Sequence, residues 1–196
     1  GWPESIKLTT TKPSGSLSLL SGSSPGIHPA YSKYYIRRVR MASNDKLIDV
    51  CKNAGYHVEY QRKLDDTEDH TTKVIEFPCY AGDNVIVAKE MTAVNQLELV
   101  KKIQTLWADN SVSCTVYYKK EELPEIKEWL KNNYEDNIKS ISFLLHHEHG
   151  FKQAPYEEIT KERYDELVKH IKPIESINGG GMIDTIECQN GACPVR

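Results

Sequence analysis

The 196-residue chain contains no long apolar run: no stretch approaches the roughly 20 residues that a membrane-spanning helix needs. Nor is there an excess of positive charge. Lys and Arg number 25 against 28 Asp and Glu, a formal net charge of −3, so no global basic field would gather nucleic acid or anionic lipid. Neither a nucleic-acid partner nor a membrane partner is expected. The first residues, Gly1-Trp2-Pro3-Glu4-Ser5, lack the charged and apolar blocks of a signal peptide, so a cytoplasmic location is expected. Cysteine is scarce and odd in number: Cys51, Cys79, Cys114, Cys188 and Cys193 are too scattered for the disulfide framework of a small secreted domain. What is present, 39% hydrophobic and 27% charged residues, fits an ordinary globular protein of one domain or one and a part, with enough chain for a sizeable core.

Residues 6–11, Ile-Lys-Leu-Thr-Thr-Thr, read as a strand that starts almost at once, as if the chain began in mid-fold. A turn-forming cluster, Pro13-Ser14-Gly15-Ser16, leads into a short helix over 17–20, and Pro25-Gly26 and His28-Pro29 then break regular structure. Residues 34–40 have strand composition. A short helix follows, with Ser43 or Asn44 as cap, an apolar stripe of Leu47, Ile48, Cys51 and Ala54, and Gly55 as its left-handed stop. Strands over 56–60 and 72–77 flank the acidic stretch 65–69, a solvated turn. Val94, Leu97, Val100, Ile103, Leu106 and Trp107 follow a helical period behind Thr92, a suitable N-cap. A strand over 111–118, a helix with Pro124 in its first turn, a strand over 139–145 and a helix over 159–171 come next. That succession predicts parallel βαβ units. Beyond Pro173 the chain becomes irregular, with Asn178-Gly179-Gly180-Gly181 as a flexible joint.

Chemistry has two candidate places. The first is Lys12-Pro13-Ser14-Gly15-Ser16-Leu17-Ser18, a loop between a strand end and a helix start, where unpaired amides and a partial positive field suit phosphate. Gly15 would let the backbone come close, and Ser14, Ser16 and Ser18 would add hydroxyls. A Ser-rich capping turn explains the same spacing, and the motif is neither a P-loop nor a dinucleotide fingerprint. The second is the tail, where Cys188 and Cys193 are spaced C-x4-C around Asn190-Gly191 and can close a small disulfide loop. The roughly 15 residues before it give a reach on the order of 20 Å. A zinc site would have to borrow from His146-His147-Glu148-His149, so a redox pair is the preferred reading and no metal is expected. Arg37, Arg38 and Arg40 with Tyr34 and Tyr35 suit either an anionic partner or a carboxylate-rich neighbouring strand. Cys51, Cys79 and Cys114 fall in apolar settings and read as core.

Several segments in one order resemble a known family. Thr11-Lys12-Pro13-Ser14-Gly15-Ser16-Leu17-Ser18-Leu19-Leu20, Ser24-Pro25-Gly26-Ile27-His28-Pro29-Ala30, Tyr34-Tyr35-Ile36-Arg37-Arg38-Val39-Arg40, Asn110-Ser111-Val112-Ser113-Cys114-Thr115-Val116, Gly150-Phe151-Lys152-Gln153-Ala154-Pro155-Tyr156 and the terminal cysteine pair resemble the C-terminal part of adenosylcobalamin-dependent (class II) ribonucleoside-triphosphate reductases of the monomeric type. The resemblance runs the length of the chain. It implies an α/β fold, the C-terminal portion of a ten-stranded α/β barrel, over residues 1–172, followed by a flexible redox tail over 173–196. It also implies a thiyl radical mechanism that turns ribonucleotide into 2′-deoxyribonucleotide. Ser14, Gly15, Ser16, Leu17 and Ser18 match the loop that binds the phosphates of a ribonucleoside triphosphate. Cys188 and Cys193 match the tail dithiol that resets the active-site disulfide and is itself recharged by thioredoxin.

In that family the radical cysteine, its Asn and Glu neighbours, the barrel cysteine pair and the effector region lie upstream of the phosphate loop. Only residues 1–12 precede that loop here. The expectation is a chain incomplete for catalysis alone, requiring an N-terminal reductase portion or chain, with adenosylcobalamin held by the complete enzyme. Cys114 does not match the radical loop and is given no such role. The alternative is a non-catalytic nucleotide- or partner-binding module derived from a reductase.

Overall fold

The structure, a computed structural model, describes residues 2–14, 18, 23–146 and 152–174. The aromatic and β-branched run expected as a strand forms β1 (Tyr34–Ala42). It lies in a four-stranded antiparallel sheet with β2 (His57–Arg62), β3 (Glu68–Tyr80) and β6 (Tyr156–Glu158), in the order β2-β3-β1-β6. The β1–β3 register runs from Tyr34 opposite Tyr80 to Ala42 opposite Thr72. The acidic stretch begins in the β2–β3 turn, where the Asp65 carboxylate accepts from the backbone N–H and hydroxyl of Thr67 and Asp66 takes the left-handed conformation at φ 66°.

One face of this sheet is covered by α1 (Leu47–Asn53), whose buried Ile48 and Cys51 pack on Ile75 with Met41, Tyr56, Val58 and Phe77 around them. Its start differs from expectation. Neither Ser43 nor Asn44 caps it; the Asp45 carboxylate accepts from the Leu47 N–H at 2.9 Å. Gly55 does stop it, at φ +92°, and a Cβ there would also lie 2.2 Å from the His170 carbonyl oxygen, so both conformation and close approach demand glycine.

The second half builds on α2 (Ala93–Leu106), capped by the Thr92 hydroxyl accepting from Asn95 N–H. Then come β4 (Thr115–Tyr118), a 3-10 turn (Lys120–Glu122), α3 (Leu123–Asn137) with proline in its first turn, and β5 (Ser142–Leu145). β4 and β5 pair in parallel, Thr115 opposite Ser142 through Tyr118 opposite Leu145. Leu97 and Val100 of α2, Val116 of β4, Ile126 and Trp129 of α3, and Val112 and Ile138 form one buried cluster, joined by Ile27 from the segment that leaves the serine loop. Each such side chain contributes about 1.5–3 kcal/mol of burial free energy. The last helix, α4 (Lys161–Val168), is capped by Thr160. No helix among the described residues is long and apolar enough to cross a membrane.

Among the described residues parallel βαβ pairing therefore holds for β4-α3-β5 alone; β6 returns to the antiparallel sheet. Two expected strands are also shorter or absent. Residues 6–11 form no strand but run extended beside 109–113, linked by Asn110 N–H to the Thr9 carbonyl (2.9 Å) and Ser113 N–H to the Thr11 carbonyl (3.0 Å). The strand expected from residue 111 begins only at Thr115, because the backbone before it is bonded to that segment and to side chains. On α2 the apolar stripe holds through Ile103, whereas Leu106 and Trp107 are 76% and 62% exposed, the latter as the C-cap where the helical path has ended.

Of the β1 arginines, Arg38 resolves in favour of the carboxylate-rich neighbour, whereas Arg37 and Arg40 turn to backbone carbonyls and uncharged side chains. Arg38, 7% exposed, bridges Glu76 of β3 at 2.7 Å and Glu157 of β6, and donates to the Ala154 carbonyl. Arg37 donates to the Pro155 carbonyl and lies 4.3 Å over the Tyr156 ring; Arg40 donates to the Gln153 carbonyl. Glu76→Ala is expected to lower unfolding free energy by about 2 kcal/mol, because it strips one partner from a buried cation. Glu157→Ala, at a half-exposed carboxylate, is expected to cost less than about 1 kcal/mol. Urea denaturation of the two variants checks the order; equal losses would mean that the exposure of the carboxylate does not set what each pair contributes.

Candidate functional site

Within the serine-rich loop, Ser14 and Ser18 are among the described residues; Gly15, Ser16 and Leu17, and the short helix expected over 17–20, lie outside them. Ser14 and Ser18 are brought together. The Ser14 hydroxyl oxygen accepts from Ser18 N–H at 3.1 Å, and the Ser18 hydroxyl donates to the Ser14 carbonyl at 2.8 Å. Ser18 is helical, and its carbonyl accepts from Ser23 N–H. Because the Ser14 oxygen is the acceptor in its bond, its own hydrogen is left to donate outward. The Ser18 hydroxyl hydrogen is committed to Ser14. Lys12 does not enter the loop: its ammonium donates to the Ser111 carbonyl at 3.2 Å.

Sequence reasoning gave His28 no role, yet it ties this loop to the sheet. Its Nδ1 lies 2.9 Å from the Pro25 carbonyl, which can only accept, so Nδ1 carries the hydrogen. Nε2 then accepts from Thr115 N–H, the first residue of β4, at 3.2 Å. The adjoining Gly26 takes φ +63°, where a Cβ would sit 2.6 Å from the Lys12 carbonyl oxygen. The signal available in the sequence was the run Pro25-Gly26-Ile27-His28, which reads as a structure breaker and as one segment of the family resemblance, with no role for the imidazole. Gln153 was missed likewise: buried, it donates to Glu59 and to the Tyr60 carbonyl, and its oxygen accepts from Arg62 N–H.

The three internal cysteines are where sequence placed them. Cys51 and Cys114 are buried and Cys79 half-buried. Burial pushes all three thiols up, Cys114 to about 11, with Gln96 donating to its sulfur at 3.2 Å. Tyr35, beside Cys79, is pushed up to about 12 by burial. Cys188 and Cys193, the joint at 178–181 and the rest of 175–196 lie outside the described residues, as do His147, Glu148 and His149. Among the described residues no group of three or more His, Cys, Asp or Glu is placed to hold a metal ion. His146 donates its backbone N–H to the Tyr118 carbonyl.

The comparisons with known proteins agree with this architecture. The family described as the ribonucleotide reductase barrel domain matches residues 5–144. The chain belongs to that family. It is 38% identical over 198 residues to the adenosylcobalamin-dependent ribonucleoside-triphosphate reductase of Euglena gracilis, covering 97% of this chain and 27% of the relative. It is 37% identical to the probable enzyme of that name from Dictyostelium discoideum (98% and 26%) and 36% identical to that of Lactobacillus gasseri (98% and 27%). A crystal structure of a B-12 dependent (class II) ribonucleotide reductase superimposes with a TM-score of 0.73 at 32% identity, over 84% of this chain and 23% of that one. The chain therefore spans about a quarter of the length of the relatives it matches, and its α/β fold is part of the reductase barrel domain.

The thiol environments set an alkaline limit. A group whose folded pKa is raised keeps a proton that the unfolded chain releases, so stability falls as pH climbs past the unfolded value. For Cys114 that window runs from 9.0 to about 11 and for Tyr35 from 10.0 to about 12. The midpoint of thermal unfolding is expected to hold from pH 7 to 8.5 and to fall steadily above pH 9. At pH 8 a thiol reagent should modify Cys114 about 100-fold more slowly than an unperturbed cysteine, because its thiolate fraction is smaller by that factor. Peptide mapping after timed labelling measures this; rapid labelling of Cys114 in folded protein would contradict the buried environment.

Proposed function

We propose that the chain is the C-terminal portion of an adenosylcobalamin-dependent ribonucleoside-triphosphate reductase, supplying the loop for the substrate phosphates and the dithiol that re-reduces the active-site disulfide. The observation that carries the reading is the similarity to enzymes of that name, which extends over 97–98% of this chain while covering 26–27% of theirs. The complete enzyme reduces a ribonucleoside triphosphate to its 2′-deoxy form by a thiyl radical mechanism, in the cytoplasm, with an N-terminal reductase portion or chain as partner.

Ser14 is suited to the phosphate role because its hydroxyl hydrogen is left to donate while its oxygen fixes the turn. Adenosylcobalamin, which would supply the radical, is assigned to the complete enzyme. The groove of about 800 Å³ along the outer face of α2, lined by Ile86, Glu90, Leu99, Lys102 and Leu106 among others, is an open surface that mixes apolar with charged side chains. That does not fit the enclosed apolar seat a corrin asks for. No step assigned to this chain runs through the cofactor.

The tail step is thiol–disulfide exchange. One thiolate of the Cys188–Cys193 pair attacks the active-site disulfide to give a mixed disulfide, and the other displaces it. The active-site pair leaves as a dithiol and the tail pair as a disulfide, with two electrons and two protons transferred. Thioredoxin dithiol then reverses the tail disulfide and ends as its own disulfide. In the complete enzyme, Cys188→Ser or Cys193→Ser should cut thioredoxin-driven turnover by about 100-fold or more, since the exchange needs both thiols. A single turnover from pre-reduced enzyme should persist. Sustained multiple turnover by either variant with thioredoxin would remove the tail assignment.

A further inference from the structure

The serine-rich loop leaves and rejoins the body of the protein at nearly one point. On its entering side, Thr11 accepts from Ser113 N–H and Lys12 donates to the Ser111 carbonyl. On its leaving side, His28 accepts from Thr115 N–H. Both feet thus stand on the same five residues of backbone, 111–115. They also touch each other, because Gly26 has no Cβ: any side chain there would meet the Lys12 carbonyl oxygen at 2.6 Å and the carbonyl carbon at 3.3 Å. Ile27, between Gly26 and His28, is buried in the core cluster with Val112 and Cys114 and holds the leaving foot from below.

His28 has the chemistry for this position. It bridges an acceptor and a donor on opposite sides of one ring: Nδ1–H gives to Pro25, within the loop's own exit, and the Nε2 lone pair takes the N–H of Thr115. Since Nδ1 faces a carbonyl and Nε2 faces an N–H, the two bonds select a single tautomer. The imidazole therefore fixes both the bend of the exit at Pro25 and its distance from β4. Gln96 secures the same place from α2, donating to the Cys114 sulfur and the Thr115 carbonyl, so the strand start that receives His28 is itself held.

We infer that His28, with Gly26, is a positioning residue for triphosphate binding: it clamps the two feet of the serine loop so that Ser14 keeps a fixed aim. The inference rests on the proposed phosphate role of Ser14, and His28 itself touches no substrate. It acts through the loop, which predicts an effect on substrate affinity rather than on the chemical step.

The test uses the complete reductase and the ribonucleoside triphosphate as probe. His28→Ala is expected to raise KM about tenfold with kcat within about twofold, the pattern of lost binding shared by ground state and transition state. His28→Gln can place an acceptor oxygen where Nε2 stands and is expected to bring KM back to within about threefold of wild type, whereas His28→Asn, which keeps the donor but cannot reach Thr115, is not. The Thr115 amide should exchange with solvent faster in His28→Ala than in His28→Gln. Ser14→Ala separates the two ideas. If Ser14→Ala raises KM and His28→Ala leaves it unchanged, the clamp is overturned and the phosphate reading stands. If both leave KM unchanged while Thr115 exchanges faster in His28→Ala, the positioning role falls together with the phosphate reading. Equal loss of kcat and of folded protein in His28→Ala, without rescue by His28→Gln, would reduce His28 to a structural residue and overturn the proposal.

Discussion

Backbone that is extended and enclosed but not part of a sheet has to satisfy its amides and carbonyls by other means. Residues 111–114, buried or half-buried ahead of β4, are in that condition, and the whole stretch from Ala108 into Thr115 is held by these other means. Gln104 of α2 serves three of these groups at once, donating to the carbonyls of Ala108 and Asn110 and accepting from Val112 N–H. Thr9 and Thr11 supply carbonyls to Asn110 and Ser113, Lys139 donates to the Asp109 carbonyl, and His28 and Gln96 take the two ends of Thr115. Side chains from a helix, a loop exit and a following connector thus converge on one stretch of main chain. That convergence brings the entry and exit of the serine loop to the same place, and Cys114 to the bottom of it, under cover.

The antiparallel sheet solves a related problem in the opposite way. Here it is side-chain charge that must be satisfied inside the protein. Arg37, Arg38 and Arg40 reach across to the carbonyls of Pro155, Ala154 and Gln153, three successive residues of a segment more than a hundred positions away in the chain. Arg38 cannot be left alone so far from water, and Glu76 and Glu157 on the strands either side of β1 neutralise it. The segment 153–155 has little regular structure of its own, and its path is dictated by these guanidinium groups. Buried Gln153 completes the arrangement by bonding to β2 at Glu59, Tyr60 and Arg62.

Elements whose stability comes from local periodicity and caps were readable from residues alone. Thr92 and the stripe Leu97, Val100 and Ile103 define α2, Pro124 marks the first turn of α3, and Gly55 ends α1. The parallel β4-α3-β5 unit followed from their succession. What was not readable depended on distant partners. Residues 6–11 and 111–114 have strand composition, yet what decides their state is which backbone lies beside them, and composition carries no record of that. The antiparallel return of β6 is imposed by arginines of β1, whose pairing with Glu157 spans the chain. At the candidate site, Ser14 could be named because serine, glycine and proline cluster there. His28 could not, because its role exists only through Pro25 and Thr115, one of them 87 positions away.

The distribution of the cysteines bears on the proposed redox role. A dithiol relay works only if competing thiols within the same chain stay out of exchange, since any accessible thiolate can enter a mixed disulfide. Cys51, Cys79 and Cys114 are kept out by the same physical cause: burial disfavours the thiolate, so each pKa is raised and the reactive form is depleted at neutral pH. For Cys114 the bond from Gln96 pulls the other way but does not overcome burial. The fold thus disfavours the thiolate at three of the five cysteines by packing alone, without disulfide or metal among the described residues, which is what the relay proposed for Cys188 and Cys193 would require. On that proposal the odd count of five divides into a relay pair and three packed side chains, two buried and Cys79 half-buried, for which evenness has no meaning.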